Sequence, residues 1–543
     1  MKKIWMLFAI GGLFLISCSD DDVSVDQTPD PDPIVYTSGT ADFSNFVALG
    51  NSLTAGFSDA ALFIDGQNAS VPSIMAGNFA LAGGGDFTIP YMADNLGGLT
   101  LGGVPIPQFG NRLILDFSTG DPIPVPVSGT GTTEVSNVLT GPFNNLGVPG
   151  AKSFHLLAPG YGNVAGVALG QANPYYARFA SSPNARIIED AAVQNPSFFA
   201  LWIGNGDVLG YAIEGGDGEN QAGNTDPSTY ESSDITDPTV FAGSVDLLLQ
   251  TLTANGAGGV IGNVFDVTTI PYFTTVPYNP LDPTNPDFGP QIPLLNSIFG
   301  ALNQIYSAIG ATDRIIVFSE TEASPVVIFD ENLADLSATI TGGLLSNLPA
   351  FEAFIAQFGL PPQAAPLVAN LLGSTYGQTR QATAEDLVVL TSARVIGTVN
   401  TDTLGDLVAL GLPEALAGQF SVEGISLPLA DKWVLTPEEQ MLIKDAQEVF
   451  NQTIAALAQQ YDIALADVNA LLAEVDANGL TLSDGRDVTT AFATGGAFSL
   501  DGIHPSPRGN ALLANVFIEA INAKYGSNLP NVDPLDYIGL YLK

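Results

Sequence analysis

The residues best suited to chemistry are few. Ser52 stands in Ala48-Leu49-Gly50-Asn51-Ser52-Leu53-Thr54, where the apolar run Phe46–Leu49 breaks at a glycine. The chain holds only two histidines, His155 and His504, and His504 lies in Asp501-Gly502-Ile503-His504-Pro505. A carboxylate three residues ahead of an imidazole, on a loop fixed by a following helix, can hold one ring nitrogen. The other nitrogen is then free to take a proton from a hydroxyl. Ser52, His504 and Asp501 are therefore candidates for nucleophile, general base and orienting acid in an acyl-transfer reaction. Each signal also has a plainer reading: Ser52 as a cap in a strand-to-helix turn, and Asp-x-x-His as a chance surface loop. Their coexistence favours the chemical reading.

A serine nucleophile of this kind needs a strand end to hold it, because open α/β sheets place their chemistry at the carboxyl ends of parallel strands. Six apolar runs read as buried strands: Phe46–Leu49, Phe198–Ile203, Gly259–Phe265, Arg314–Phe318, Leu387–Leu390 and Ile463–Val468. Thr436-Pro437-Glu438-Glu439 opens a helix with a capping box and a proline at the first position. Ser506-Pro507-Arg508 opens a second helix that runs through Ile521. Strands alternating with helices predict an α/β layer fold. Long stretches lie between them. Residues 59–140 show mostly Gly, Pro and short β-like runs, 210–240 form an acidic excursion, 275–295 are punctuated by proline, and 326–376 are apolar and helical in pattern. Such stretches carry function or form subdomains.

Gly50-Asn51-Ser52-Leu53-Thr54 and Asp501-x-x-His504-Pro505 resemble blocks I and V of the SGNH (GDSL) hydrolase family. Asn145-Leu146-Gly147-Val148-Pro149-Gly150-Ala151 resembles block II, and Ile203-Gly204-Asn205-Gly206-Asp207 resembles block III. The resemblance implies a three-layer α/β/α fold with a mostly parallel central sheet, flavodoxin-like and here carrying large insertions. It implies a Ser52–His504–Asp501 triad and an oxyanion hole built from the Ser52 and Gly150 N–H groups with Asn205. Two positions depart from the pattern. Asn51 replaces the usual aspartate, and an amide there can still bond the local turn. In strict register the family's oxyanion asparagine falls on Gly206, one place after Asn205. Either Asn205 substitutes from a remodelled turn, or the site works with two backbone donors, and one lost donor costs about two to three orders of magnitude in rate. His155 reads as a structural or pocket-lining residue.

The implied activity is hydrolysis of carboxylic esters through an acyl-enzyme, by an esterase or lipase with no cofactor. Residues 326–376, rich in Leu, Ala, Phe and Ile, are either a cap over an acyl pocket or extra core. Deacetylation of surface glycans is the alternative reaction, and a degenerate surface scaffold that binds lipid or glycan is the reading from another class. No metal cluster is evident, because two histidines and one cysteine leave only carboxylates without calcium-loop spacing.

The first 18 residues read as targeting: Lys2 and Lys3, an apolar stretch from Ile4 to Ile16, then Leu15-Ile16-Ser17-Cys18, which resembles a bacterial lipobox. Cys18 is the only cysteine, so lipidation accounts for it better than a disulfide. Residues 19–40 form an acidic, proline-rich tether similar to the export signals of Bacteroidetes-type lipoproteins. Residues 41–543 are expected to form one catalytic domain with insertions near 59–140, 210–240 and 270–430. The expected location is the outer membrane, on its periplasmic or cell-surface face, with the N-terminal lipid as anchor and an ester of a lipid or acylated glycan as substrate. A formal charge of −41, from 15 Lys and Arg against 56 Asp and Glu, argues against nucleic acid as a partner.

Overall fold

Five short apolar segments pair into one parallel sheet: β1 (Phe46–Gly50), β2 (Asn145–Gly147), β3 (Phe198–Trp202), β4 (Gly258–Gly262) and β5 (Ala464–Ala466). The order across the sheet is β2-β1-β3-β4-β5, with Ala48 opposite both Asn145 and Ala200, and Val260 opposite both Ala200 and Ala464. The structure is a computed structural model and describes residues 34–118 and 122–543. The lipobox-like segment around Cys18 and the tether up to residue 33 lie outside these residues. Thr37–Lys543 forms one compact unit. Its first residues are tied down rather than free: the N–H of Thr37 donates to Asn528 Oδ1 at 2.6 Å and that of Thr40 to the Tyr525 carbonyl at 2.8 Å.

The connections supply helices α1 (Ser52–Ala55), α2 (Val71–Phe79), α3 (Gly206–Ile213) and α4 (Pro238–Thr253). An inserted region adds α5 (Ile292–Ile309), α6 (Ser337–Ser346), α7 (Leu348–Ala356) and α8 (Ala365–Tyr376). The chain returns through the long α9 (Pro437–Gln460) and closes with α10 (Pro507–Tyr525). All residues of β1 and β3 are buried, as expected for strands covered on both faces. Phe198 meets Phe79 of α2 and Tyr525 of α10 edge-on, and Trp202 meets Phe517 of α10. Phe199 and Leu201 alternate to the other face, where Phe241 of α4 stacks on Phe450 of α9 at 4.0 Å. Both expected helix starts form. Glu439 Oε2 accepts the Thr436 N–H at 2.6 Å, and Ser506 Oγ accepts from Gly509 at 3.0 Å.

Three expectations need correction. Arg314–Phe318 is not a strand: its backbone is satisfied by two asparagines of α5, with Ile316 bonded to Asn303 and Phe318 to Asn296 through both N–H and C=O. Leu387–Leu390 shrinks to a two-residue antiparallel pair with Val434–Leu435, outside the central sheet. Residues 59–140 are more than loops: α2, capped by Ser70 with proline in its first turn, buries Val71, Ile74, Met75 and Phe79 in the main core. The stretch 281–434 builds a second hydrophobic core around Phe299, Tyr306, Ile328, Val368 and Tyr376. No helix among the described residues is long and apolar enough to cross a membrane.

Candidate active site

Three of the candidate residues sit at the carboxyl ends of neighbouring strands. β1 ends at Gly50 and Ser52 begins α1; β2 ends at Gly147 ahead of Gly150; β3 ends at Trp202 ahead of Asn205. Asn51, not Ser52, caps α1, its Oδ1 accepting the Leu53 N–H at 3.1 Å. The serine hydroxyl is thereby released from capping. Asn145 ties this corner together by donating to the Thr54 carbonyl at 3.0 Å and accepting from Gly147 at 2.9 Å.

His504 reaches the same corner from the other end of the chain. Its Nε2 lies 2.9 Å from Ser52 Oγ, and its Nδ1 lies 2.9 Å from Asp501 Oδ2. Asp501 is fixed by more than the imidazole. Its Oδ1 accepts from the N–H groups of Ile503 and His504, both at 2.8 Å, and from the Ser499 hydroxyl at 3.0 Å. Its Oδ2 also accepts the Ala60 N–H at 3.0 Å. Burial pushes the Asp501 carboxyl up, but His504 and these donors outweigh it and hold it at about 2. An ionised carboxylate on Nδ1 keeps that proton in place and leaves Nε2 as the acceptor facing Ser52. The ring of Phe57 covers the imidazole at 4.7 Å.

Ser52, Gly150 and Asn205 line one cavity, and each brings to it a donor without a partner among the described residues. The backbone N–H groups of Ser52 and Gly150 make no hydrogen bond within the described residues. Asn205 is fully buried, its Oδ1 accepts the Phe265 N–H at 3.3 Å, and its Nδ2 has no partner. Gly204 makes that placement possible. It adopts φ +117°, and a Cβ there would stand 2.7 Å from Val264 Cγ2. A buried amide with one end fixed and the other unpaired is primed to donate to whatever enters. Of the two options left open by the register, the structure has Asn205 available as a side-chain donor, while Gly206 offers none. Asp207 serves the frame: it accepts from the Ser153 N–H at 2.9 Å and hydroxyl at 2.7 Å, holding the segment after Gly150. Burial pushes Asp207 up to about 6.

These groups open onto a cavity of about 270 Å³ whose apolar wall includes Phe57, Leu209, Ile213, Phe265 and Ile503. Its lining draws nothing from residues 326–376, which instead fill the second core, so that segment is not a cap over this cavity. His155 lines the cavity and is stacked on Tyr161 at 4.5 Å. Its Nδ1 accepts the Lys152 N–H at 3.0 Å, and burial together with Lys152 pushes it down to about 3. It is therefore neutral, with its proton on Nε2. Lys152 points away, donating to the carbonyls of Glu231 and Asp234.

Two contributors escaped sequence reasoning. Ala60 and Asp59 take left-handed backbone angles, φ 64° and 50°, so the chain after α1 folds back onto the 499–501 turn. Asp59 donates its N–H to Ser499 Oγ and accepts from the Leu500 N–H, both at 2.9 Å. Nothing in the local sequence signals two non-glycine residues in that conformation. No family model, curated protein or solved structure matches the chain.

Proposed function

We propose that the chain is a serine hydrolase of SGNH type acting on carboxylic esters. The observation that carries the reading is the continuous relay from Ser52 Oγ through His504 to Asp501, with both contacts at 2.9 Å across 452 residues of chain. The five-strand parallel sheet in the order β2-β1-β3-β4-β5 supports the finer fold assignment, a flavodoxin-like three-layer domain with insertions. In the reaction, His504 takes the Ser52 proton as Oγ attacks the ester carbonyl, and Asp501 stabilises the imidazolium. The Ser52 and Gly150 N–H groups and Asn205 Nδ2 receive the oxyanion. His504 then protonates the departing alcohol, and water repeats the cycle on the acyl-enzyme. The apolar wall of the cavity favours an acyl chain over a bare acetyl group. In the same proposal, Cys18 carries the lipid that holds the enzyme at the outer membrane, a point resting on Leu15–Cys18 alone.

A fluorophosphonate probe tests the reading directly. Ser52 is expected to be labelled in the folded protein, with p-nitrophenyl esters hydrolysed best at acyl chains longer than acetate. Absence of labelling and of hydrolysis across the panel, with a reactive serine hydrolase as control, would refute the proposal and leave a binding scaffold. Hydrolysis of acetate alone would remove the acyl-chain preference.

A further inference from the structure

Glu331, Asp431 and Glu439 converge so that one carboxylate oxygen of each lies within 4.8 Å of the other two. They come from three places. Glu331 follows the short strand Val327–Phe329 of the insertion, Asp431 opens the 3-10 turn Asp431–Trp433, and Glu439 lies in the first turn of α9. No spacing in the sequence foretold their meeting. Glu439 is only 2% exposed, and its Oε2 is occupied by the Thr436 N–H. Its Oε1 has no partner, and neither has Oδ1 of Asp431.

Counter-charge is missing as well. None of the three carboxylates takes part in an ion pair among the described residues. Arg380 is committed to Asp330 and Asp386, and Lys432 lies over the ring of Trp433. Asp217 adds further repulsion on Asp431. The turn Gly215–Gly216, which follows α3, closes over the group: a Cβ on Gly216 would stand 2.7 Å from Glu439 Oε1. A buried carboxylate oxygen with neither donor nor cation is strongly unfavourable. Burial and the neighbouring carboxylates accordingly push Asp431 up to about 7 and Glu439 up to about 8.

We infer that Glu331, Asp431 and Glu439 are the protein ligands of a calcium site that clamps the insertion to α9 beside the end of α3. An all-carboxylate set suits a hard cation. Calcium takes about six to eight oxygens in flexible geometry, whereas magnesium demands a near-ideal octahedron and keeps several of its waters, so three carboxylates gathered from separate elements suit calcium better. Waters complete the shell. The site is distant from the reacting atoms, since α3 places about 12 Å of helix between Asn205 and Ile213. Its effect reaches the cavity through that helix, which carries Asn205 before its first turn and Leu209 and Ile213 in the cavity wall.

The full chain, stripped with EGTA, is titrated with CaCl2 while its melting temperature is followed. Terbium luminescence provides a second readout, sensitised through Trp433, which shares the 3-10 turn of Asp431, and through Tyr211 of α3, on which all three carboxylates act. Calcium is expected to raise Tm by about 5 °C or more and to displace terbium at concentrations where magnesium does not. Asp431→Asn and Glu439→Gln, the latter keeping a side chain able to complete the capping box, should lose both responses and melt no lower than metal-free wild type. The site is overturned if stripped wild type answers neither ion, or if both variants respond as wild type does. Equal displacement by magnesium would overturn the calcium selectivity. Neither readout requires ester hydrolysis, so the result stands whatever becomes of the Ser52 relay.

Discussion

The parallel sheet and the inserted core at 281–434 both bury large aromatic side chains, yet they use their polar groups differently. In the sheet region, tight connections after β1, β2 and β3 present Ser52, Gly150 and Asn205 within two or three residues of a strand end. Donors there are left unpaired and face a cavity. In the insertion, helices satisfy their own backbone and the polar side chains close inward. Asn296 and Asn303 replace a strand partner, Tyr306 donates to the Tyr376 carbonyl, and Arg380 forks onto Asp330 and Asp386 at 2.7–2.8 Å. The difference shows how reactivity and stability are divided. Unsatisfied donors are tolerated where rigid strand ends hold them, whereas the unpaired buried atoms of the insertion are acceptors, Oε2 of Glu423 and Oδ1 of Asp431.

The sharpest test of that division is Ser52→Ala. It should lower kcat by at least about four orders of magnitude, with Tm unchanged within a degree. Residual turnover close to wild type would break the assignment of chemistry to the sheet. In the insertion, Phe299→Ala should cost about 3–5 kcal/mol of stability, because Phe299 is fully buried against Phe318 and Tyr376. Urea unfolding reports that loss, while kcat measured well below the melting temperature stays near wild type. A large fall in kcat at full folding would show that the insertion takes part in the reaction. Asn205→Ala should raise the barrier by about 2.7–4 kcal/mol, seen as a fall in kcat with little change in KM. An unchanged kcat would mean that the two backbone donors suffice.

The smallest effect is one of pH. Burial, with Asp501 adding to it and the Leu500 N–H opposing it, pushes Asp59 from 3.8 up to about 7. The folded state therefore holds a proton that the unfolded chain releases, so stability falls as pH rises from about 4 towards 7. Asp59→Asn should flatten that part of the stability–pH curve by up to a few kcal/mol on the order-of-magnitude scale of the shift. Asp501 has the opposite sign. Its folded value of about 2 lies below 3.8, so its contribution is full above about pH 4 and is lost as pH falls through about 2. An Asp59→Asn curve parallel to wild type would show that the turn at 58–61 does not hold a protonated carboxyl.

Much of the sheet was legible because strands buried on both faces need unbroken apolar runs. Phe46–Leu49, Phe198–Ile203, Gly259–Phe265 and Ile463–Val468 all contribute to it. Arg314–Phe318 holds an apolar run of similar length, Ile315–Phe318, but lies in the insertion, where asparagines of α5 take the place of a strand neighbour. β2 went unread as a strand because three residues are too few to show a period. Among the site residues, Ser52, Asp501 and His504 were legible from type and local spacing. The contribution of Ala60 was not, since it acts through a backbone amide that any residue possesses.

Local sequence alone determined the pieces: where strands break, where helices are capped, and which serine, histidine and aspartate stand beside those breaks. Only the tertiary structure decided distances between residues hundreds of positions apart. It set Ser52 against His504, left Asn205 Nδ2 unpaired, and gathered Glu331, Asp431 and Glu439 at one point. The physical reason is that capping and periodicity act over a few residues, whereas electrostatic pairing depends on separations in space that only the packed core fixes.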